Sequence, residues 1–198
     1  NVNNFEFTKI NQIRVSGLNE EENLEILKSF ERYKIYNLFF LSKLDLEKLM
    51  NKHNYIEEFF VFKKYPSSLD IKAKKTELLA YVKKNNKYFY IGSNKKLIII
   101  KNDKKKLPYI YGNLNFEEFF KLKKIIDETK FKFDEIKNLF YFPSGRWDIE
   151  TYSGIILKLP KFKLKESIEL YNDLLNKNEF KNIKMIDLRQ SNQVIINE

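Results

Sequence analysis

The sequence predicts an α+β fold in two parts: a βααββ unit over residues 1–76, then a mostly antiparallel β-sheet domain with two helices over residues 77–198. Three observations predict it. Leu69, Ile71 and Ala73 alternate with Asp70, Lys72 and Lys74, the period-two signature of a half-buried strand. Two stretches between residues 19 and 50 instead repeat their apolar residues at helical spacing behind capping residues. Beyond residue 77 the chain turns to short β-rich runs punctuated by Asn, Gly and Pro, with only two further helical stretches.

The elements follow in order. "TKINQIRVSGL" is a strand with Ile13 and Val15 on one face, closed by a turn at Ser16-Gly17. Asn19 caps a first helix with glutamates in its first turn and Leu24, Leu27 and Phe30 as the expected stripe. Ser42 caps a second, with Asp45 three residues on and Leu46, Leu49 and Met50 inward. "IEEFFVFKKY" and "SSLDIKAKK" are strands joined through Pro66, whose fixed φ suits a turn.

In the second part "LLAYVKK", "KYFYIG", "KLIIIK" and "LPYIYG" are short strands. Asn115 caps a helix carrying Phe119, Leu122 and Ile126. "IKNLFYF", "RWDIETY" and "GIILKLP" are strands joined at Pro143-Ser144-Gly145 and Ser153-Gly154. A last helix runs from about Lys163 to Asn176 with Ile168, Tyr171, Leu174 and Leu175 inward, and "KMIDLRQSNQVII" closes the chain as strand.

Composition bounds the function. Apolar residues make up 43% and aromatics 16% of 198 residues, enough for a core. The formal charge of +10 invites a nucleic-acid reading, but the lysines are scattered along the chain rather than gathered on one arm or face. Without cysteine there is no disulfide, thiolate nucleophile or cysteine metal site. No apolar run reaches the roughly 18 residues a membrane helix needs. The chain opens on Asn1 without an initiator methionine, which leaves room for an anchor or signal segment upstream.

Reactive chemistry finds no footing. The single His53 makes no multi-histidine zinc site, and its place near the end of the second helix predicts a surface residue favoured by the dipole. Glu57-Glu58 and Glu117-Glu118 are sequence neighbours, and Asp148 with Glu150 predicts the wet side of a sheet rather than a catalytic pair. The five glycines form neither a phosphate loop nor a nucleophile elbow. The expectation is a protein that is not an enzyme and uses no cofactor. Lysine-interleaved aromatics such as "KYFYIG" and "FVFKKY" are stacking platforms in a single-strand binder, or simple strand alternation here.

Against that background the residues resemble a known family. The βααββ order is that of a POTRA domain, and "INQIRVSGL" with "YNLFFLSKLDLEKLMNKHNYIEEFFVFKKYPSSLDIKAKK" resembles the POTRA of the FtsQ/DivIB bitopic bacterial cell-division proteins. "LPYIYG", "GRWDIETYSGIILKLP" and "IDLR" resemble, in order, further segments of the same family, with spellings closest to its alphaproteobacterial members. Lys75 stands where the family carries an acid, and the aromatic residues some members place after the last motif are absent.

The resemblance implies a non-enzymatic divisome scaffold, periplasmic and held in the inner membrane by a single upstream helix, that binds FtsB and FtsL. It implies a partner surface at Arg189 and, after it, Gln190 and Asn192, with Asp187 beside them and Arg146 as a second contact. The expected device is an exposed last strand, "MIDLRQSN", with Ile186 and Leu188 inward and Asp187 and Arg189 free for a partner. The alternative for Arg189 is an internal pair with Asp148 or Glu150. Two rival functions stand: a POTRA-type chaperone module of an outer-membrane assembly or secretion system, and a basic nucleic-acid-binding protein.

Overall fold

The computed structural model describes residues 9–99, 106–176, 183–190 and 193–197. They divide into two compact units, one of residues 1–78 with 92–98, the other of residues 79–91 with 99–198.

The first unit runs β1 (Gln12–Ser16), α1 (Glu20–Phe30), α2 (Lys43–Met50), β2 (Ile56–Lys64) and β3 (Ser68–Lys75), the βααββ order. Its sheet is ordered β1-β3-β2, with β1 parallel and β2 antiparallel to the central β3. Val15, Ile71 and Val61 share one register row. The helices lay Ile26, Phe30, Leu46, Leu49 and Met50 in a core with Leu69, Ile71 and Ala73. Asn19 Oδ1 accepts the Glu22 N–H at 2.8 Å, and Ser42 with Asp45 completes a second capping box even though an aspartate replaces the usual longer acid. Gly17 is required where β1 leaves the sheet: its φ is +100° and a Cβ there would lie 2.1 Å from the Ala73 carbonyl oxygen.

Two expectations are corrected in this unit. Phe30 is buried as expected, but Leu24 is exposed and Ile26 is buried in its place at i, i+4 with Phe30, because Leu24 sits two residues, roughly 200°, around the helix from Ile26. His53 is buried rather than on the surface, since the turn after α2 folds inward and sets its Nδ1 3.1 Å from the Tyr55 hydroxyl and 3.6 Å from Glu25.

Residues 92–98 belong to this unit through a polar clasp. Thr76 Oγ1 and Ser93 Oγ both donate to Glu57 Oε2, at 2.7 and 2.8 Å, and the Asn94 amide donates to the carbonyls of Asn54 and Ile56 at 2.8 Å.

The remaining elements are β4 (Leu78–Lys84), β5 (Lys87–Gly92), β6 (Leu97–Ile99), β7 (Tyr109–Tyr111), α3 (Phe116–Asp127), β8 (Ile136–Tyr141), β9 (Trp147–Thr151), β10 (Ile156–Lys158), α4 (Leu164–Asn176), β11 (Met185–Asp187) and β12 (Ile195–Asn197). The strands form one sheet ordered β12-β11-β10-β9-β8-β7-β4-β5-β6. β7 is parallel to β4 and to β8, and β10 is parallel to β11. The chain order explains the last two parallel joints: α3 lies between β7 and β8, and α4 between β10 and β11, because parallel neighbours need a crossover of about a dozen residues.

One register row crosses six strands, Ile110, Leu139, Ile149, Leu157, Ile186 and Ile196, and all but the last are fully buried. Phe119, Leu122 and Ile126 of α3 and Ile168 and Tyr171 of α4 are buried with them. Leu175, expected inward, is exposed at the end of α4. The neighbouring row carries Tyr111, Phe140, Asp148, Lys158, Asp187 and Ile195 on the opposite face. Its aromatic end is self-stacked: Tyr111 and Phe140 lie parallel at 4.8 Å, and Tyr109 meets Tyr111 edge-on at 4.3 Å.

Candidate functional site

The site grows from the last two strands of the sheet. Ile186 and Leu188 are buried as the alternation predicts. The expected edge is corrected: β11 lies inside the sheet between β10 and β12, and Ile195–Asn197 forms the outer strand. Ile195–Asn197 does not continue β11 but pairs antiparallel beside it, and the Gln193 N–H donates to the Gln190 carbonyl at 3.4 Å.

Asp187 is also corrected, from a free carboxylate to a buried one. Its Oδ1 accepts the Arg189 backbone N–H at 3.1 Å, and its two oxygens accept the Arg189 Nε at 2.8 and 2.9 Å. This fork holds the Asp187 carboxyl below the usual aspartate range. Arg189 therefore pairs with its own strand, not with Asp148 or Glu150, while its side chain stays 40% exposed. Glu150 is taken up elsewhere, by Asn138 Nδ2 at 2.8 Å and Lys137 Nζ at 2.6 Å, which together keep its pKa low.

Arg146 reaches the same region from β9. Its guanidinium lies 4.2 Å over the Phe142 ring, and its Nε is 3.4 Å from Asp148 Oδ1. Asp148 is buried, which corrects the wet strand face expected of it. Burial raises its pKa, against the pull of Arg146, Lys158 and Arg189. Register explains the gathering: Asp148, Lys158 and Asp187 are successive partners across β9, β10 and β11. The result is a row of alternating charge, Arg146, Asp148, Lys158, Asp187 and Arg189.

Beyond Arg189 opens a groove of about 750 Å³ whose lining includes Phe162, Glu166, Leu170, Gln190 and Val194. Phe162 is 74% exposed at its rim, and Gln190 is exposed. Of the expected partner residues, Arg146, Asp187, Arg189 and Gln190 come together on this end of the sheet, and Asn192 lies outside the described residues. Sequence reasoning weighed Asp148 as a partner of Arg189 but missed its contact with Arg146, and it missed β12 as the edge. Asp148 carried a signal, its place one residue after "RW", but a lone acid in a strand says nothing of the charges on the next strands. The arrangement offers a strand edge, a groove of mixed polar and apolar lining and a fixed guanidinium, which is the equipment of peptide recognition rather than of catalysis. Among the described residues no group of His, Cys, Asp or Glu is placed to hold a metal ion.

Comparison with known proteins gives the family. Residues 80–189 match the family model described as "Cell division protein FtsQ/DivIB, C-terminal". Cell division protein FtsQ of Rickettsia bellii is 25% identical over 201 residues, and that of Rickettsia typhi 25% over 195, each match covering 95% of this chain and 72% of the relative. The major extracytoplasmic domain of the cell division protein DivIB from Geobacillus stearothermophilus aligns with a TM-score of 0.39 at 14% identity, over 54% of this chain and 99% of that one. The chain belongs to the FtsQ/DivIB family of cell-division proteins, non-enzymatic components of the divisome.

Proposed function

We propose that this chain is the periplasmic part of a divisome scaffold that binds FtsB and FtsL through the edge of its second unit, held at the inner membrane by a single helix outside these residues. The observation that carries the reading is β12, an outer strand whose Ile195 is exposed and which runs beside the Arg189 groove. A partner strand added there satisfies the unpaired main-chain groups of the edge, while Phe162, Leu170 and Val194 offer apolar anchorage. Arg189, already oriented by Asp187, presents its outer N–H groups to a partner acid at little entropic cost. Family membership supports divisome proteins as the partner class. Among the described residues no helix is long and apolar enough to cross a membrane.

The test is a titration with a labelled peptide from the membrane-proximal periplasmic region of FtsB, beside a duplex-DNA control, for wild type, Arg189→Ala and Ile195→Asp. Saturable peptide binding, weakened roughly tenfold or more by either change with the fold intact, is the expected result. Peptide ignored while DNA binds with a steep salt slope overturns it.

A further inference from the structure

The first unit gathers its most exposed apolar side chains in one short segment. Phe40 is 77% exposed, Ile35 69%, Phe39 64% and Leu44 62%, and Tyr36 and Tyr65 are exposed with them. The segment is held, not loose. Leu38 and Leu41 are buried in the core on either side of the two phenylalanines. The Phe39 N–H donates to Asn37 Oδ1 at 2.8 Å, the Phe40 N–H to the Asn37 carbonyl at 3.1 Å, and Lys63 Nζ to the Leu41 carbonyl at 2.6 Å. Phe39 and Phe40 are thus projected by a backbone the core has fixed, with the Phe39 ring 5.2 Å from that of Tyr65.

Aromatic and cationic residues flank this apex in the sequence. Tyr33, Tyr36 and Tyr65 supply ring-and-hydroxyl side chains, and Arg32, Lys34 and Lys63 supply positive charge in the adjoining sequence, whereas Lys43 is paired with Glu47 and Lys64 with Asp70. Two of the neighbouring acids are engaged, Asp45 in the α2 capping box and Glu47 with Lys43 at 3.6 Å. Apolar tips, tyrosines that suit the interface and long cationic side chains that snorkel match, in order, acyl chains, headgroups and an anionic surface. The overall charge of +10 acts in the same sense.

We propose that residues 35–44 with Tyr65 form an interfacial membrane anchor that docks the first unit on an anionic phospholipid surface, with Phe39 and Phe40 at the boundary between headgroups and acyl chains. This surface is distinct from the β12 edge.

The experiment is co-sedimentation of the 198-residue chain with phosphatidylglycerol-containing vesicles and with pure phosphatidylcholine vesicles, for wild type and the Phe39→Ser/Phe40→Ser double variant. Both positions are exposed, so the variant keeps its fold, checked by its thermal midpoint. Wild type is expected to sediment with the anionic vesicles in a salt-sensitive way, and the double variant to bind roughly tenfold or more weakly. Phe40→Trp adds a direct readout: the protein's single tryptophan, Trp147, is buried, so fluorescence quenched by brominated lipid reports the new indole. Failure of wild type to bind either vesicle, binding that the double variant leaves unchanged, or fluorescence of Phe40→Trp that brominated lipid leaves unquenched each overturns the proposal. Self-association by sedimentation velocity that the double variant abolishes, without vesicle binding, assigns the face to a second copy instead.

Discussion

Arg189 and Asp187 stand two residues apart on one end of the sheet and are joined by a fork in which Nε lies 2.8 and 2.9 Å from the two carboxylate oxygens. The pair settles the geometry of the "IDLR" segment: Asp187 is inside the fold, and only the arginine reaches outward. Charges on the two neighbouring acids follow from it. Asp187 has a folded pKa below 3.8, caused first by its Arg189 hydrogen bonds, whereas burial raises that of Asp148 above the same value.

The two acids therefore act on stability in opposite senses. The unfolded chain binds a proton at Asp187 more readily than the folded one, so its contribution is fully present above the unfolded pKa of 3.8 and is lost as pH falls through the lower folded value. At Asp148 the folded state holds the proton more tightly, so ionisation opposes folding and stability rises as pH falls through the raised folded value. Asp187→Asn is expected to cost about 1–3 kcal/mol at pH 7 and nothing below the folded pKa. Asp148→Asn is expected to be at least as stable as wild type at pH 7. Urea unfolding of each variant from pH 3 to 8 checks both signs; a stabilised Asp187→Asn contradicts the account.

His53 gives a second pH signature that is simple to read because the chain has one histidine. Burial, the dominant cause, lowers its pKa below 6.5, while Glu25 at 3.6 Å pulls the other way. The stability it contributes is present above 6.5 and lost as pH falls through its folded value. Proton NMR is expected to show one imidazole titration with a midpoint under 6.5, and Glu25→Gln is expected to move it lower still. A midpoint at or above 6.5 refutes the buried placement.

Gly17 and Gly112 share a predicted intolerance. Their φ values are +100° and +102°, and a Cβ at either would lie 2.1 Å from a backbone oxygen, of Ala73 and of Tyr141 respectively. Because that neighbour is main chain in a strand, it does not yield like a side-chain tip. Ala at either position is expected to destabilise by about 2 kcal/mol or more, read as a lowered thermal midpoint. An unchanged midpoint means the loop can be rebuilt, which this close approach denies.

The clasp of Glu57, Thr76 and Ser93 is expected to behave as one unit. Thr76→Val and Ser93→Ala each remove a hydroxyl that donates to Glu57 Oε2, and the two hydroxyls also lie 3.0 Å apart. Each change is expected to cost about 1 kcal/mol, and the double variant clearly less or more than the sum. Additive costs in chemical denaturation show that the three groups are independent.

Much of this was legible in the sequence, and the parts that were share a cause. The caps at Asn19, Ser42 and Asn115 and the glycine turns at 17, 145 and 154 are set by residues within three or four positions, so local chemistry decides them. The buried stripe of α3 and the alternation of β3 are equally local, and both hold. What was not legible depends on partners far along the chain. Leu24 and Ile26 are equally apolar, and only the sheet beneath α1 selects one. The burial of Asp148 comes from β10 and β11 laid beside it, and the burial of His53 from the Tyr55 and Glu25 that meet it. The outer place of β12 rests on three residues, Ile195–Asn197, that read as the continuation of the strand before them.

The central claim is that a partner strand adds to β12. The most direct measurement is hydrogen–deuterium exchange of the chain with and without the FtsB peptide, read at the amides of Ile195–Asn197 and along Met185–Asp187. Strong slowing at the outer strand, reduced in Ile195→Asp, is the predicted result. Slowing confined to another surface, or none at β12 while the peptide is bound, contradicts it.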